Sequence, residues 1–279
     1  MVSEMQIENK ANAQSSKAIK TFNLATRILF TIAVIGQWLF VYYIVAFYGG
    51  VVVSGAYEKI NKVLVHGMIE GDNMGNFVLG VHIFLAAIIT FGGPIQFFST
   101  IRNRFPVFHR WNGRIYFVTA FLISSAGLFM IATRGAVGGT IGMLGNILNA
   151  ILIMTFAVFA WRAAMQRNFK AHKKWAIRTF LMVSGVWFIR IGYCLWILLT
   201  GFTAPGTNKS MSGPFDNFLG LGHSLIPLLI LELYFFAKAH PSLKIKKIAT
   251  VVLLLLGLLL SAGVVMVVLI FWLPKLTHQ

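Results

Sequence analysis

The stretch Ile248–Leu273, IATVVLLLLGLLLSAGVVMVVLIFWL, runs 26 residues without a charge. As a helix rising about 1.5 Å per residue it outspans the roughly 30 Å hydrocarbon core of a bilayer. Working back along the chain, six more apolar runs of spanning length follow: Leu24–Val53, Phe77–Phe98, Ile115–Ala132, Ile141–Trp161, Ala176–Leu199 and Phe218–Ala237. In lipid a helix satisfies its own backbone hydrogen bonds, and the alternating pattern of a membrane β-barrel is absent. The composition agrees: 58% of residues are hydrophobic and 11% charged, against about 25% charged in soluble domains. The predicted fold class is all-α: a polytopic membrane helix bundle of about seven transmembrane helices.

The net charge of +17 is unevenly placed. With the N-terminus inside, 18 of the 24 Lys and Arg fall on cytoplasmic segments, and five fall outside. Four of the seven acids (Glu58, Glu70, Asp72 and Asp216) also fall outside. This is the positive-inside pattern, and for seven spans it predicts N-in, C-out. The basic charge therefore serves topology and the binding of anionic lipid heads on the cytoplasmic side, so no nucleic-acid partner is expected. Residues 1–22 read as a polar cytoplasmic tail, the first 20 of them disordered, and residues 23–279 as the transmembrane domain. The single Cys194 excludes an intramolecular disulfide and a Cys-based metal site.

Between the runs the loops are short; Ser54–Asn76 and Gly201–Asn217 are the largest on the outer side. Pro94 and Pro227 fall within spans, where membrane helices tolerate them. Small residues gather at Gly142 and Gly145, and at Ser184, Gly185 and Gly192, which reads as close helix packing.

Two segments echo each other. Phe108–Phe117, FHRWNGRIYF, and Ala171–Phe180, AHKKWAIRTF, each place a His, basic residues, a Trp and an Arg at the cytoplasmic entry of a span. His109 and His172 are thereby matched in depth. On the outer side His82 and His223 each lie about five residues into a run, also matched. Two histidine pairs, one per leaflet, are what a path through two b-type haems requires, with Arg meeting the propionates. Arg190 lies nine residues from the outer end of its run, or about 13 Å deep at the helical rise. A buried Arg is costly, so it needs a partner or serves as an anion anchor. Glu232 is the one acid within a run. It is expected to pair with Arg114 or Arg178, or to carry protons. No phosphate loop, nucleophile elbow or zinc motif is present.

FGGPIQF (Phe91–Phe97), FHRWNGRIYF, AHKKWAIRTF and the following Arg190 together resemble the bacterial membrane proteins of domain of unknown function 2306, over residues 77–240. The resemblance implies a multi-pass protein of the bacterial cell (inner) membrane and supplies no activity. Other members tend to read HRRWMIR in the second element; here Lys173 and Lys174 stand for two Arg, which keeps charge but removes the bidentate guanidinium fork. A looser analogy runs to cytochrome b561-type proteins through the paired histidines.

The leading reading is a membrane redox protein holding b-haem or quinone between helices. His82, His109, His172 and His223 would be ligands or quinone contacts. Arg114, Arg178 and Arg190 would hold propionates or a quinone oxygen, and Glu232 and Gln96 would handle protons. The alternatives are a transporter or sensor with Arg190 and Glu232 in its pathway, and a structural membrane protein without a ligand.

Overall fold

The computed structural model describes residues 2–277, and among them every regular element is helical. In chain order these are α1 (Val2–Ser54), a 3-10 turn (Tyr57–Lys62), α2 (Asn73–Ile95), the short α3 (Ser99–Arg104), α4 (Pro106–Arg134) and α5 (Gly139–Met165). There follow α6 (Phe169–Val183), α7 (Gly185–Leu199), α8 (Pro214–Ala239) and α9 (Leu243–Val267). A π-turn (Val268–Trp272) leads from α9 into α10 (Leu273–Thr277).

Six of these elements are long and apolar enough to cross a membrane, and the α6–α7 pair, taken as one bent span, makes a seventh. Their outer faces are apolar: Leu258 is 68% exposed and Phe77 68%. A soluble monomer does not carry a girdle of that kind. The chain is a polytopic helical membrane protein.

Two features depart from the sequence expectation. The polar residues expected to be a disordered tail are helical from Val2 and continuous with the first span; Met1 lies outside the described residues. The segment has no Gly or Pro before Gly36, and extending a helix already nucleated avoids the initiation cost. The second departure is at the fifth span, expected to be one straight run over Ala176–Leu199. It bends by 56° at Ser184. There the Ser184 hydroxyl donates to the Phe180 carbonyl (2.8 Å), so it competes with the helix's own ladder. It also accepts from Gln37 Nε2 on α1 at 2.8 Å. Gly185 follows, where a Cβ would stand 2.9 Å from His223 Cδ2 and 3.0 Å from Asn149 Nδ2. The bend is thus set by three other helices, α1, α5 and α8.

Small residues govern the packing, as expected. On α5, a Cβ at Gly145 would overlap the backbone carbonyl of Gly220 on α8. Elsewhere Phe40, Tyr43 and Trp272 form a stacked group, with Phe40 and Trp272 centroids 5.3 Å apart, that joins α1 to the π-turn.

At the end of the bundle opposite the echoed segments, Arg134 ties the loop before α2 to the end of α4. Its guanidinium donates to Asp72 (2.8 Å), the Gly67 carbonyl (2.7 Å) and Asn76 Oδ1 (2.7 Å). The Arg134 side chain is 3% exposed. Asp72 also caps α2 by accepting from the Gly75 N–H at 2.9 Å. That N–H first, and Arg134 second, hold the Asp72 carboxyl below its ordinary pKa. A lowered folded pKa means the contribution is complete above the usual carboxylate range, near about 4, and is lost only as pH falls through the lowered value. Amide exchange over residues 67–76 is therefore expected to stay slow from pH 7 to about 5. Asp72→Asn should speed it at pH 7; equal exchange in both proteins would contradict this anchor.

Candidate functional site

A cavity of about 70 Å³ lies where α1, α2, α4 and the α6–α7 bend meet. Its wall is largely apolar, with Phe40, Ile89, Ile123 and Phe180 among its members. Seven buried side-chain polar atoms among the described residues have no hydrogen-bond partner, and four of them belong to this wall: Gln37 Oε1, His82 Nδ1, Tyr116 Oη and Trp187 Nε1. Buried polar groups are paired in the great majority of cases, so a cluster of four on one small space points to something that pairs them. Their chemistry is mixed. The Trp187 indole only donates, the Gln37 amide oxygen only accepts, the Tyr116 hydroxyl does both, and His82 does one or the other according to tautomer.

Each group is held by packing. Gln37 is fixed by its other amide atom on Ser184. Trp187 is 1% exposed, and its ring is seated against α1 at Gly36, where a Cβ would come within 2.7 Å of it. Tyr116 lies against Gly93 of α2, where a Cβ would stand 3.0 Å from its ring. The FGGP and HRWNGR elements explain this register. Asn112 Nδ2 donates at 3.0 Å to the Gly92 carbonyl, one of those that the last turn of α2 leaves over. Gln96 Nε2 donates to the His109 carbonyl at 3.3 Å.

The four candidate histidines lie in three places, with His109 and His172 together. His82 stands in the cavity wall. His223, 2% exposed, lies beside Gly185 with Nδ1 3.3 Å from the Leu219 carbonyl and Nε2 unpartnered. Its neighbour Ser224 donates to Asn149 at 2.9 Å. His109 and His172 lie within electrostatic range of each other at the basic end. The His172 ring packs edge-on to Phe117, with Nδ1 2.9 Å from the Ala160 carbonyl.

The arginines also divide. Arg178 forms a two-pronged ion pair with Glu232, at 2.7 and 2.8 Å, so its fork is occupied. Of the two partners expected for Glu232, Arg178 is the one used, and it also lies over the Trp175 ring. Arg114 is exposed and stacks on Trp111 at 4.9 Å, a snorkelling posture suited to lipid heads. Arg190 donates to the Val186 carbonyl (2.9 Å) and stands 5.1 Å from the centroid of the Phe40 ring.

Tyr116 lies in the echoed FHRWNGRIYF segment, where no role was expected of it, and Gln37 and Trp187 fall outside the expected site residues. The latter two carried a signal. Gln37 is an amide in the middle of an apolar run, and Trp187 sits at mid-span, away from the interfacial belts where Trp is usual.

Residues 79–212 match the family described as Predicted membrane protein (DUF2306). The match holds all of the cavity wall except Gln37 and Phe40, which α1 contributes. It is shorter than the 77–240 of the sequence resemblance. No curated protein and no solved structure matches the chain.

Proposed function

We propose that this membrane protein is a redox protein that holds the head of a quinone in the cavity beside the α6–α7 bend. The observation that carries the reading is the convergence of four unpartnered polar atoms on one apolar space. A quinone ring offers flat apolar faces to Phe40 and Ile89 and carbonyl oxygens at its edge. Those oxygens would accept from Trp187 Nε1 and Tyr116 Oη, while the Ile123 carbonyl favours the His82 tautomer whose Nδ1 accepts. A quinone held here would supply two-electron, two-proton redox chemistry. The acceptors Gln37 Oε1 and His82 Nδ1 would suit the hydroxyls of its reduced form. Haem fits this wall less well. A bis-imidazole haem needs two His on opposite faces of one ring, and among the described residues the wall carries one.

A transport path through Arg190 and Glu232 draws less support, because Arg178 closes the Glu232 carboxylate on both oxygens. The distribution of Lys and Arg favours an orientation with the basic end on the cytoplasmic side, and the family resemblance supports a bacterial inner membrane.

The test is a titration of detergent-purified protein with a short-chain quinone, read by tryptophan fluorescence. Saturable quenching is expected. Tyr116→Phe should weaken it by about tenfold, the worth of one buried hydrogen bond of about 1.5 kcal/mol. Linear, unsaturable quenching in the wild type would contradict the proposal.

A further inference from the structure

Among the described residues, Arg190 is a cation at membrane depth without an acid. The ion pairs among them are Arg134–Asp72 and Arg178–Glu232, and neither includes it. Its contacts are one backbone carbonyl, that of Val186, and the face of the Phe40 ring. Tyr43, Tyr48 and Cys194 are the titratable groups within electrostatic reach, and all are neutral in their ordinary state. A carbonyl and a π-face reduce the cost of placing a guanidinium in an apolar region, but they leave its full positive charge uncompensated.

The position of this charge is specific. Val186 and Phe40, the two groups that seat Arg190, are both members of the cavity wall. The guanidinium therefore stands just behind the wall, against Phe40 and Val186 on the α1 and α7 side, without lining the cavity itself. The wall itself supplies neutral donors and acceptors only, apart from the imidazole of His82. One uncompensated cation beside a neutral polar wall is an arrangement for a ligand that is neutral over most of its ring and negative at one edge.

We propose that the ligand of the cavity is an acidic ring compound, of the hydroxyquinone class, whose ionised oxygen takes Arg190 as counter-ion. This rests on the reading of the cavity as a quinone-head site and narrows it to a charge state. The ring's remaining oxygens meet Trp187 and Tyr116 as before. Arg190 selects the anion over its neutral analogue because the pair forms in a low-dielectric setting, where an attraction between opposite charges is far stronger than in water.

Equilibrium dialysis of the full chain in detergent tests this with two probes of nearly equal shape. One is a hydroxynaphthoquinone, an anion at neutral pH; the other is its neutral methyl ether. The wild type is expected to bind the anion at least about tenfold more tightly, a difference of about 1.4 kcal/mol. Arg190→Gln should bring the ratio of the two affinities to about one. A pH series on the wild type gives the same answer without a variant: as pH falls through the hydroxyl's own pKa, the preference should vanish. Equal binding of both probes by the wild type would overturn the anion proposal and leave the quinone reading standing. A preference that survives Arg190→Gln, or that persists below the hydroxyl's pKa, would overturn it as well. If neither probe binds, the quinone reading falls and takes this proposal with it.

Discussion

Gly145→Leu is expected to abolish the folded protein: detergent-extracted material should lose its monodisperse peak in size-exclusion chromatography. The reason is backbone against backbone. A Cβ at Gly145 would overlap the carbonyl of Gly220, and neither α5 nor α8 can yield a side chain to make room. The helices must separate. The same contact region holds the Ser224–Asn149 hydrogen bond (2.9 Å) and the seat of His223 beside Gly185. Parting α5 from α8 therefore leaves buried polar groups unpaired as well as opening the interface. Gly145→Ala should show the same effect in milder form, lowering stability by about 1–3 kcal/mol, the usual range for overpacking. A melting temperature in Gly145→Ala equal to the wild type would show that the helices are not in this contact.

Gly36→Ala is expected to remove quinone binding while leaving a folded protein. A Cβ there would lie 2.7 Å from Trp187 Cζ2 and 2.7 Å from Val264 Cγ2. Both are side-chain atoms, so the neighbours can shift, unlike the backbone at Gly145. The Trp187 indole is fully buried, and the space it borders is the cavity. It can relieve the clash by moving into that space. The result is a smaller cavity with its one indole donor misplaced. Affinity for the short-chain quinone should fall by more than about tenfold, with a stability loss of about 1–3 kcal/mol from the overpacking. Unchanged affinity would place the ligand elsewhere.

The spans were legible because bilayer thickness sets a length that uncharged runs such as Ile248–Leu273 meet by themselves. The Ser184 bend was not, since it depends on Gln37, which lies 147 positions away in sequence. Depth along a helix was readable too: His82 and Arg190 stand out as polar groups within apolar runs, the first in the cavity wall and the second against Phe40 behind it. Rotation about the helix axis was not readable. Matched depth left open whether His82 faces His223; His82 lies in the cavity wall and His223 beside Gly185 and Asn149. The echoed segments contribute mainly through residues that looked least chemical. Asn112 satisfies the Gly92 carbonyl, Tyr116 enters the cavity, and the Arg of each segment is spent on a ring or on Glu232. Tyr116 stood in the quoted FHRWNGRIYF segment without an expected role, because a Tyr near a helix end reads as part of an interfacial belt.

The most direct test of the cavity's role is a crystal structure grown in lipid with a saturating short-chain quinone. The account predicts one flat density between Phe40 and Ile89, with its edge oxygens within hydrogen-bond distance of Trp187 Nε1 and Tyr116 Oη. Separate spherical peaks satisfying Gln37, His82, Tyr116 and Trp187 one by one, with the quinone bound elsewhere or not at all, would mark a water-filled cavity and contradict it.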